Sequence, residues 1–353
     1  MQNDLHEAVS TATQQETGST IAAQRDSSAT EGTGYVAGID IGGTNLRVAL
    51  ADMTGTVLAK WSSSTVGVRG PDAVLALVKN GVEYLLQKTS ASCRTLHAVA
   101  AGAPGITDVD SGVVIATSYL MGWRDVPLRA LLESALHAPA MVDNDVNLAA
   151  VGEHWAGAAQ GVRDFVFIGI GTGVGASIVL NGSPWRGTSW AAGEIGYMLV
   201  PGTPEIQGNP GEPGALENII GGEGIKAQWH NLCSLNSAAL PKDLTATQIF
   251  DRALAGDSLA QSVLQRTSRL LSHAVYNMNL VLNCPLYVLG GGVGAHPALR
   301  SSTETMLAQM KMRGQPQVTT SALGAEAQLM GALRQALDLA GFRPFADRGA
   351  DRK

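Results

Sequence analysis

Three glycine-rich turns and one polar cluster hold the residues of this chain best suited to chemistry. In GIDIGGTNLR, residues 38–47, Asp40 closes an apolar run and is followed by Gly42, Gly43 and Thr44. Glycine lets the backbone turn tightly and lets a ligand come close to it. Successive N–H groups in such a turn can cradle phosphate oxygens. Thr44 adds a hydroxyl, and Asp40 is placed to hold Mg²⁺ directly or through water. The same grammar returns in GIGTGVGAS, residues 169–177, with Gly171, Thr172 and Gly173. A third cluster, LGGGVG at 289–294, again follows an apolar run, as a strand entering a glycine loop. One such turn is as readily an ordinary hairpin. Three in one chain point to a nucleotide held between two halves. The spacing suits neither the dinucleotide fingerprint nor the P-loop.

The polar cluster is VDNDVNLAA, residues 142–150, where a strand meets a helix. Asp and Asn are favoured helix caps, but a cap needs one residue and four polar side chains stand here: Asp143, Asn144, Asp145 and Asn147. Phosphoryl transfer needs a carboxylate to orient and deprotonate an attacking hydroxyl. Asp145 is the candidate base and Asn144 a candidate binder of the substrate hydroxyl. Two further acids flank a Pro/Gly-rich loop, Glu194 in GEIGYM and Glu217 in GALE. Taken alone they read as surface charges on a turn.

Elements able to position these residues are visible in the pattern. YVAGIDI, NLRVALADM and TVLAKWSSS read as three strands of a meander. PDAVLALVKNGVEYLLQK has a helical period with Pro71 and Asp72 at its start. HAVAAGAPG reads as a buried strand. A second cycle follows, with DVNLAAVGEHWAGAA helical and DFVFIGIGTGVGASIVLNG a strand, glycine turn and strand. RTSRLLSHAVYNMNLVLNC is a helix presenting Leu270, Leu271, Ala274, Val275, Met278, Val281 and Leu282 on one face. GAEAQLMGALRQALDLAG is a last helix ended by Gly341. Alternating strands and helices predict α/β layers, and the two similar halves suggest a duplicated unit with a cleft between them.

The 353 residues suffice for two cores, with 45% hydrophobic and 15% charged residues. A formal charge of −6 lacks the basic footprint of a nucleic-acid binder. No apolar run reaches membrane-spanning length, and the first residues lack a signal peptide's apolar core. Cys93, Cys233 and Cys284 lie far apart and read as buried thiols in a reducing compartment. The expectation is a soluble cytoplasmic protein with no nucleic-acid or membrane partner. Residues 1–33 are polar and read as a disordered tail.

The motifs DIGGTNLR, APGITD, GWRDVPL, DNDVNLAAVGE, GIGTGVGASIVLNG, AAGEIG, LGGGV and GAEAQLMGA, in this order, resemble the ROK family of sugar kinases and sugar-responsive repressors. The resemblance spans roughly residues 35–340. It implies an actin-like, hexokinase-like (ribonuclease H-like) two-domain α/β fold with a central cleft. The expected domains are a small one, 34–145 plus 326–345, and a large one, 146–325. It also implies ATP and Mg²⁺, a hexose substrate, and homodimers as a common state. By motif match, Asp40, Gly42, Gly43 and Thr44 form the first phosphate segment and Gly171, Thr172 and Gly173 the second. Gly290, Gly291 and Gly292 lie near the adenosine. Asn144 and Asp145 match the sugar-binding Asn and the catalytic base. Glu194 and Glu217 match two acids that accept hydrogen bonds from sugar hydroxyls, with Gly105 and Tyr197 beside the substrate.

The chain departs from that family at two places. Most members carry a zinc-ligating His where Tyr197 stands, and three zinc-ligating Cys where Gly208, Pro210 and Ala215 stand. Such residues cannot replace a tetrahedral Cys/His set, so no structural zinc is expected. Tyr119 occupies the place of an Asn that often contacts the sugar. Among the remaining residues, Arg47 is either near phosphate or a hairpin surface charge, and Asp108 forms a turn. His154, Trp229 and His230 pack, and Glu153 is helix surface or a domain contact. The resulting expectation is a glucokinase-like enzyme making glucose 6-phosphate, with fructose, mannose, allose and N-acetylmannosamine as alternative substrates. The readings from other classes are a sugar-sensing regulator and a non-catalytic sugar-binding protein. The regulator is disfavoured because the stretch before the first turn shows no DNA-reading module.

Overall fold

A computed structural model describes residues 34–89, 96–117, 120–205, 212–235, 241 and 243–341. The expectations for the tail 1–33 and for Cys93, Tyr119, Gly208 and Pro210 lie outside the described residues. In chain order the first half holds β1 (Tyr35–Ile41), β2 (Asn45–Asp52), β3 (Val57–Ser64), α1 (Pro71–Lys88), β4 (Leu96–Ala103), β5 (Ile106–Asp108), β6 (Val113–Ala116), β7 (Arg124–Val126), α2 (Leu128–Leu136) and β8 (Ala140–Asn144). After α3 (Asp145–Ala156) come β9 (Phe165–Ile170), β10 (Val174–Leu180), β11 (Ser183–Trp185), α4 (Glu217–Ile220), α5 (Gly222–Leu235), α6 (Ala246–Leu254) and α7 (Ser258–Leu282). The last elements are β12 (Leu286–Gly290), α8 (Gly291–Gly294), α9 (Pro297–Gln309), β13 (Gln317–Thr320) and α10 (Ala327–Leu339).

The duplication expected from the sequence is present in the topology. One five-stranded sheet runs β3-β2-β1-β4-β8 and the other β11-β10-β9-β12-β13. In each, the first three strands form an antiparallel meander and the last two join in parallel. The inner strands β1 and β9 are buried almost throughout, because helices cover both faces of each sheet and a two-sided burial needs continuous apolar runs. β3 instead alternates half-buried and exposed residues. A small sheet of β5, β6 and β7 hangs beyond β4.

Helices α1 and α2 cover the outer face of the first sheet, with Val74, Val78, Leu128 and Leu132 packed on Ile39, Leu46 and Val99. α5, α6, α7 and α9 cover the outer face of the second, around Trp229, Phe250 and Leu271. The helices that join the halves lie between the sheets. Leu148 of α3 and Leu333 of α10 pack with Val36 and Ala98 of the first sheet. Ala149, Ala150 and Ala327 pack with Phe165 and Val288 of the second. α3 and α10 meet at glycines: a Cβ on Gly331 would lie 1.8 Å from the Leu148 carbonyl oxygen, and one on Gly152 would lie 2.1 Å from that of Ala327. No other residue lets the two backbones approach so closely.

Three readings need correction. Val281 is 83% exposed; the last turn of α7 runs past the core and ends at Asn283 in the left-handed region, so the apolar period outlasts the surface it packs on. His230 is exposed, while Trp229 is buried as expected. The third glycine cluster winds into the short helix α8 instead of a loop. Of the two readings of Glu153, helix surface or domain contact, full burial excludes the first. Asp108 is a turn former, accepting from the N–H groups of Asp110 and Ser111, and His154 stacks on Phe165. Among the described residues no helix is long and apolar enough to cross a membrane.

Candidate active site

The carboxyl-terminal ends of β1, β4, β8, β9 and β12 open on one cavity of about 730 Å³. Loops at strand ends are where α/β sheets present ligand sites. The cavity wall gathers Gly42, Gly43, Gly105, Asn144, Asp145, Gly171, Thr172, Gly173, Glu194, Glu217, Gly291 and Gly292. These residues span much of the chain, and most of the expected site is therefore in one place. Asp40, Thr44, Tyr197 and Gly290 do not line it.

Each absence has a local cause. Asp40 is buried and engaged by Arg47, whose Nη2 lies 2.5 Å from it. Gln328 donates to both Asp40 oxygens at 3.0 Å in the amide orientation that satisfies both groups. Arg47 also donates to the Ala325 carbonyl. This arginine is thus no loose surface charge; it lines the cavity and ties β2 to the start of α10. Thr44 is exposed beside Gly43 and accepts from the Asn45 amide. The Tyr197 hydroxyl donates to the Glu212 carbonyl, 3.0 Å away, at the loop between the two acids. Gly290 ends β12 against Phe167, whose ring would be 2.2 Å from an added Cβ.

The glycine turns differ in construction. Gly42 N–H donates to the Asn45 carbonyl, and Thr65 holds the turn from β3 through the Gly42 carbonyl. In the second turn Gly171 N–H donates to the Gly173 carbonyl, and its own carbonyl accepts from Gly222 N–H at the start of α5. Added Cβ atoms on Gly171 and on Gly292 would meet open space. At these two glycines no side chain stands between main chain and cavity, which lets a phosphate or nucleoside approach closely, although the Gly171 N–H and carbonyl are themselves engaged within the protein.

The four polar residues of the cluster separate by role. Asp143 is buried, paired with Arg186 at 2.5 Å, and accepts from the Asn147 amide. Asn144 caps α3, its oxygen accepting from Val146 and Asn147 N–H, while its nitrogen donates to the Gly105 carbonyl. Asp145 accepts from Val146 N–H at 2.9 Å and lines the cavity. Its carboxyl is pushed up to about 7, first by burial, then by the nearby charges of Asp40 and Glu194. A carboxylate poised near neutrality is suited to general-base work. Glu194 is raised by burial and by Glu217, so the two acids feel each other. Glu217 accepts from Val174 N–H at 2.7 Å, which joins this acid to the strand leaving the second glycine turn.

Sequence reading missed Arg186, Gln328 and Ala325, and left Arg47 undecided. Arg186 lies outside every motif quoted above, whereas Ala325 and Gln328 fall within GAEAQLMGA and Arg47 within DIGGTNLR, where only partners far along the chain reveal what they do. Trp123, Arg124 and Phe167 also line the cavity.

A family model described as ROK family matches residues 36–338. The chain is 33% identical over 266 residues to a glucokinase of Halalkalibacterium halodurans, covering 73% of this chain and 80% of the relative. It is 30% identical over 272 residues to an N-acetylmannosamine kinase of Escherichia coli, covering 77% and 87%. A solved ROK family glucokinase from Streptomyces griseus, in complex with glucose and AMPPNP, matches with a TM-score of 0.73 at 25% identity, over 86% of this chain and 100% of that one.

Proposed function

The chain belongs to the ROK family, and on that premise we propose that it transfers the terminal phosphoryl group of ATP to a hexose, with glucose 6-phosphate as the principal product. The observation that carries this reading is one carboxylate, Asp145, raised to about 7 and standing in a cavity with bare glycine turns and the paired acids Glu194 and Glu217. Asp145 takes the proton of the attacking hydroxyl as that oxygen bonds to the terminal phosphorus. The phosphorus–oxygen bond to ADP breaks, and ADP keeps the electron pair. Glu194 and Glu217 accept hydrogen bonds from sugar hydroxyls, the charge-assisted kind that suits a polyol. Asn144 holds Gly105 and caps α3, so it fixes the floor on which the reacting hydroxyl rests. Gly43, Gly171 and Gly173 offer main chain to the phosphates, and Gly291 and Gly292 offer it to the nucleoside.

Mg²⁺ bound with the nucleotide would supply neutralisation of phosphate charge. Among the described residues no cluster of three or more His, Cys, Asp or Glu could hold a metal by itself. That donor set fits an ion carried mainly by phosphate oxygens; Asp40, the residue expected to meet it, is buried outside the cavity wall with Arg47 and Gln328 on its carboxylate. We place the domain boundaries where α3 and α10 begin, near residues 145 and 326, so that the cavity lies between the two units. The protein acts as a cytoplasmic enzyme, and light scattering tests the homodimer that family resemblance implies.

The decisive experiment is a coupled ADP-release assay with ATP, Mg²⁺ and a panel of glucose, fructose, mannose, allose and N-acetylmannosamine. Glucose is expected to give the highest kcat/KM. Turnover on none of the five would sink the proposal, and sugar binding without turnover would make the protein a non-catalytic sugar receptor.

A further inference from the structure

Glu153 is fully buried and lies outside the cavity wall, and the chemistry above does not use it. It sits eight residues after Asp145 on α3, about 12 Å along the helix axis. Among the described residues no cation pairs with it. Its charge is met by four hydrogen-bond donors instead. Ser321 Oγ and Leu323 N–H donate to one oxygen, the latter at 3.0 Å. Ala322 N–H and Ala158 N–H donate to the other, at 3.2 and 2.6 Å. Two oxygens offer about four acceptor sites, so this set fills them. The pocket around it admits no larger neighbour: a Cβ on Gly157 would lie 2.2 Å from the second oxygen.

Three of the four donors belong to one short strap, residues 321–323, which follows β13. Ser321 N–H also donates to the Leu289 carbonyl near the end of β12, the strand that delivers Gly291 and Gly292 to the cavity. Ser321 Oγ accepts from Gly324 N–H at 2.7 Å while donating to Glu153. Gly324 and Ala325 then enter the cavity wall, and the Ala325 carbonyl takes Arg47, the partner of Asp40. A continuous line of bonds therefore runs from the base-bearing helix through Glu153 to the strap.

We propose that Glu153 is a positioning residue that locks the 321–325 strap to the helix carrying Asp145, and thereby sets the nucleotide end of the site without touching either substrate. This rests on the assignment of the Gly291 side of the cavity to the nucleotide. The test uses the full chain with Glu153→Gln and Ser321→Ala. Gln keeps the shape but turns an amide N–H₂ toward backbone donors, leaving at least one of them unsatisfied. Binding of a fluorescent ATP analogue, glucose binding by calorimetry, and the separate KM values for ATP and glucose are read together.

For Glu153→Gln the expected result is nucleotide affinity about tenfold weaker, with glucose affinity within about twofold of wild type. Ser321→Ala, the milder variant in case the first fails to fold, is expected to weaken nucleotide binding about threefold in the same one-sided way. Equal losses for both ligands, or no change in nucleotide binding in a folded variant, overturn the positioning role. Nucleotide binding is measured directly. A wild-type protein that binds the analogue but turns over no hexose therefore refutes the kinase reading alone.

Discussion

Replacing Asp145 by Asn is expected to abolish turnover and at the same time raise stability above neutral pH. The Asp145 carboxyl titrates at about 7 in the folded protein against an ordinary 3.8. Three units correspond to about 4 kcal/mol, and partial opening to the cavity screens this to about 2 kcal/mol. The sign follows from proton binding. The folded state holds this proton more tightly than the unfolded chain, so the group's contribution is complete below pH 3.8 and is lost as pH rises through 7. The neutral amide loses nothing over that window and can still accept from Val146 N–H. Thermal unfolding of the ligand-free proteins should therefore show equal midpoints near pH 4. At pH 8 the variant should be more stable by about 4 °C. In steady-state assays kcat should fall about 10²–10⁴-fold, and wild-type kcat/KM for the hexose should rise with pH to a plateau with a midpoint near 7. A stability gain that does not grow between pH 4 and 8, or a variant that keeps its turnover, would refute the reasoning.

Other perturbations separate binding from scaffolding. Glu194→Gln should raise KM for the hexose about 10–100-fold with KM for ATP unchanged, since it removes a charged acceptor on the sugar side alone; equal changes in both would reassign the residue. Arg186→Met strands the buried Asp143 charge and should lower stability by about 3 kcal/mol in denaturant titrations. Gly331→Ala forces a Cβ into the Leu148 carbonyl and should cost about 3 kcal/mol or prevent folding, whereas the exposed Gly67 should accept Ala far more cheaply despite its positive φ. Metal analysis of the purified protein should find no stoichiometric zinc, and a chelator should leave the melting temperature unchanged; one zinc per chain would overturn the reading of Tyr197 and Ala215.

The strands and helices were legible because each carries its own period and punctuation. Pro71 opens α1, Gly turns divide the meander, and the apolar runs of β1 and β9 announce two-sided burial. The cavity residues were legible for a different reason: bare glycines at strand ends have few structural uses, and three sets of them narrow the options. What the sequence hid are relations between distant positions. Arg47 reads equally as a residue near phosphate or a hairpin charge until Asp40, Ala325 and Gln328 are seen around it. Glu153 reads as helix surface or a domain contact; only the fold decides between them and supplies the four donors that make its burial tolerable. Val281 misled in the opposite direction, because periodicity records the helix and not where its packing partner ends.

The choice of base shows where sequence reasoning reaches its physical limit. Asp143 and Asp145 are chemically identical and two residues apart, and a strand-to-helix junction puts them in opposite environments. Asp143 lies one residue before the end of β8 with its side chain buried, where Arg186, just past β11 of the second sheet, pairs with it. That pairing fastens the acid to the guanidinium and away from the cavity. Asp145 opens a helix whose first N–H groups are already capped by Asn144, so the helix makes only one demand on it, from Val146. Burial and the Asp40 and Glu194 charges raise its proton affinity, and the backbone N–H groups at the start of α3 offset only part of that rise. The proposed base is therefore set apart from its neighbour by what each side chain faces, Arg186 for Asp143 and the cavity for Asp145.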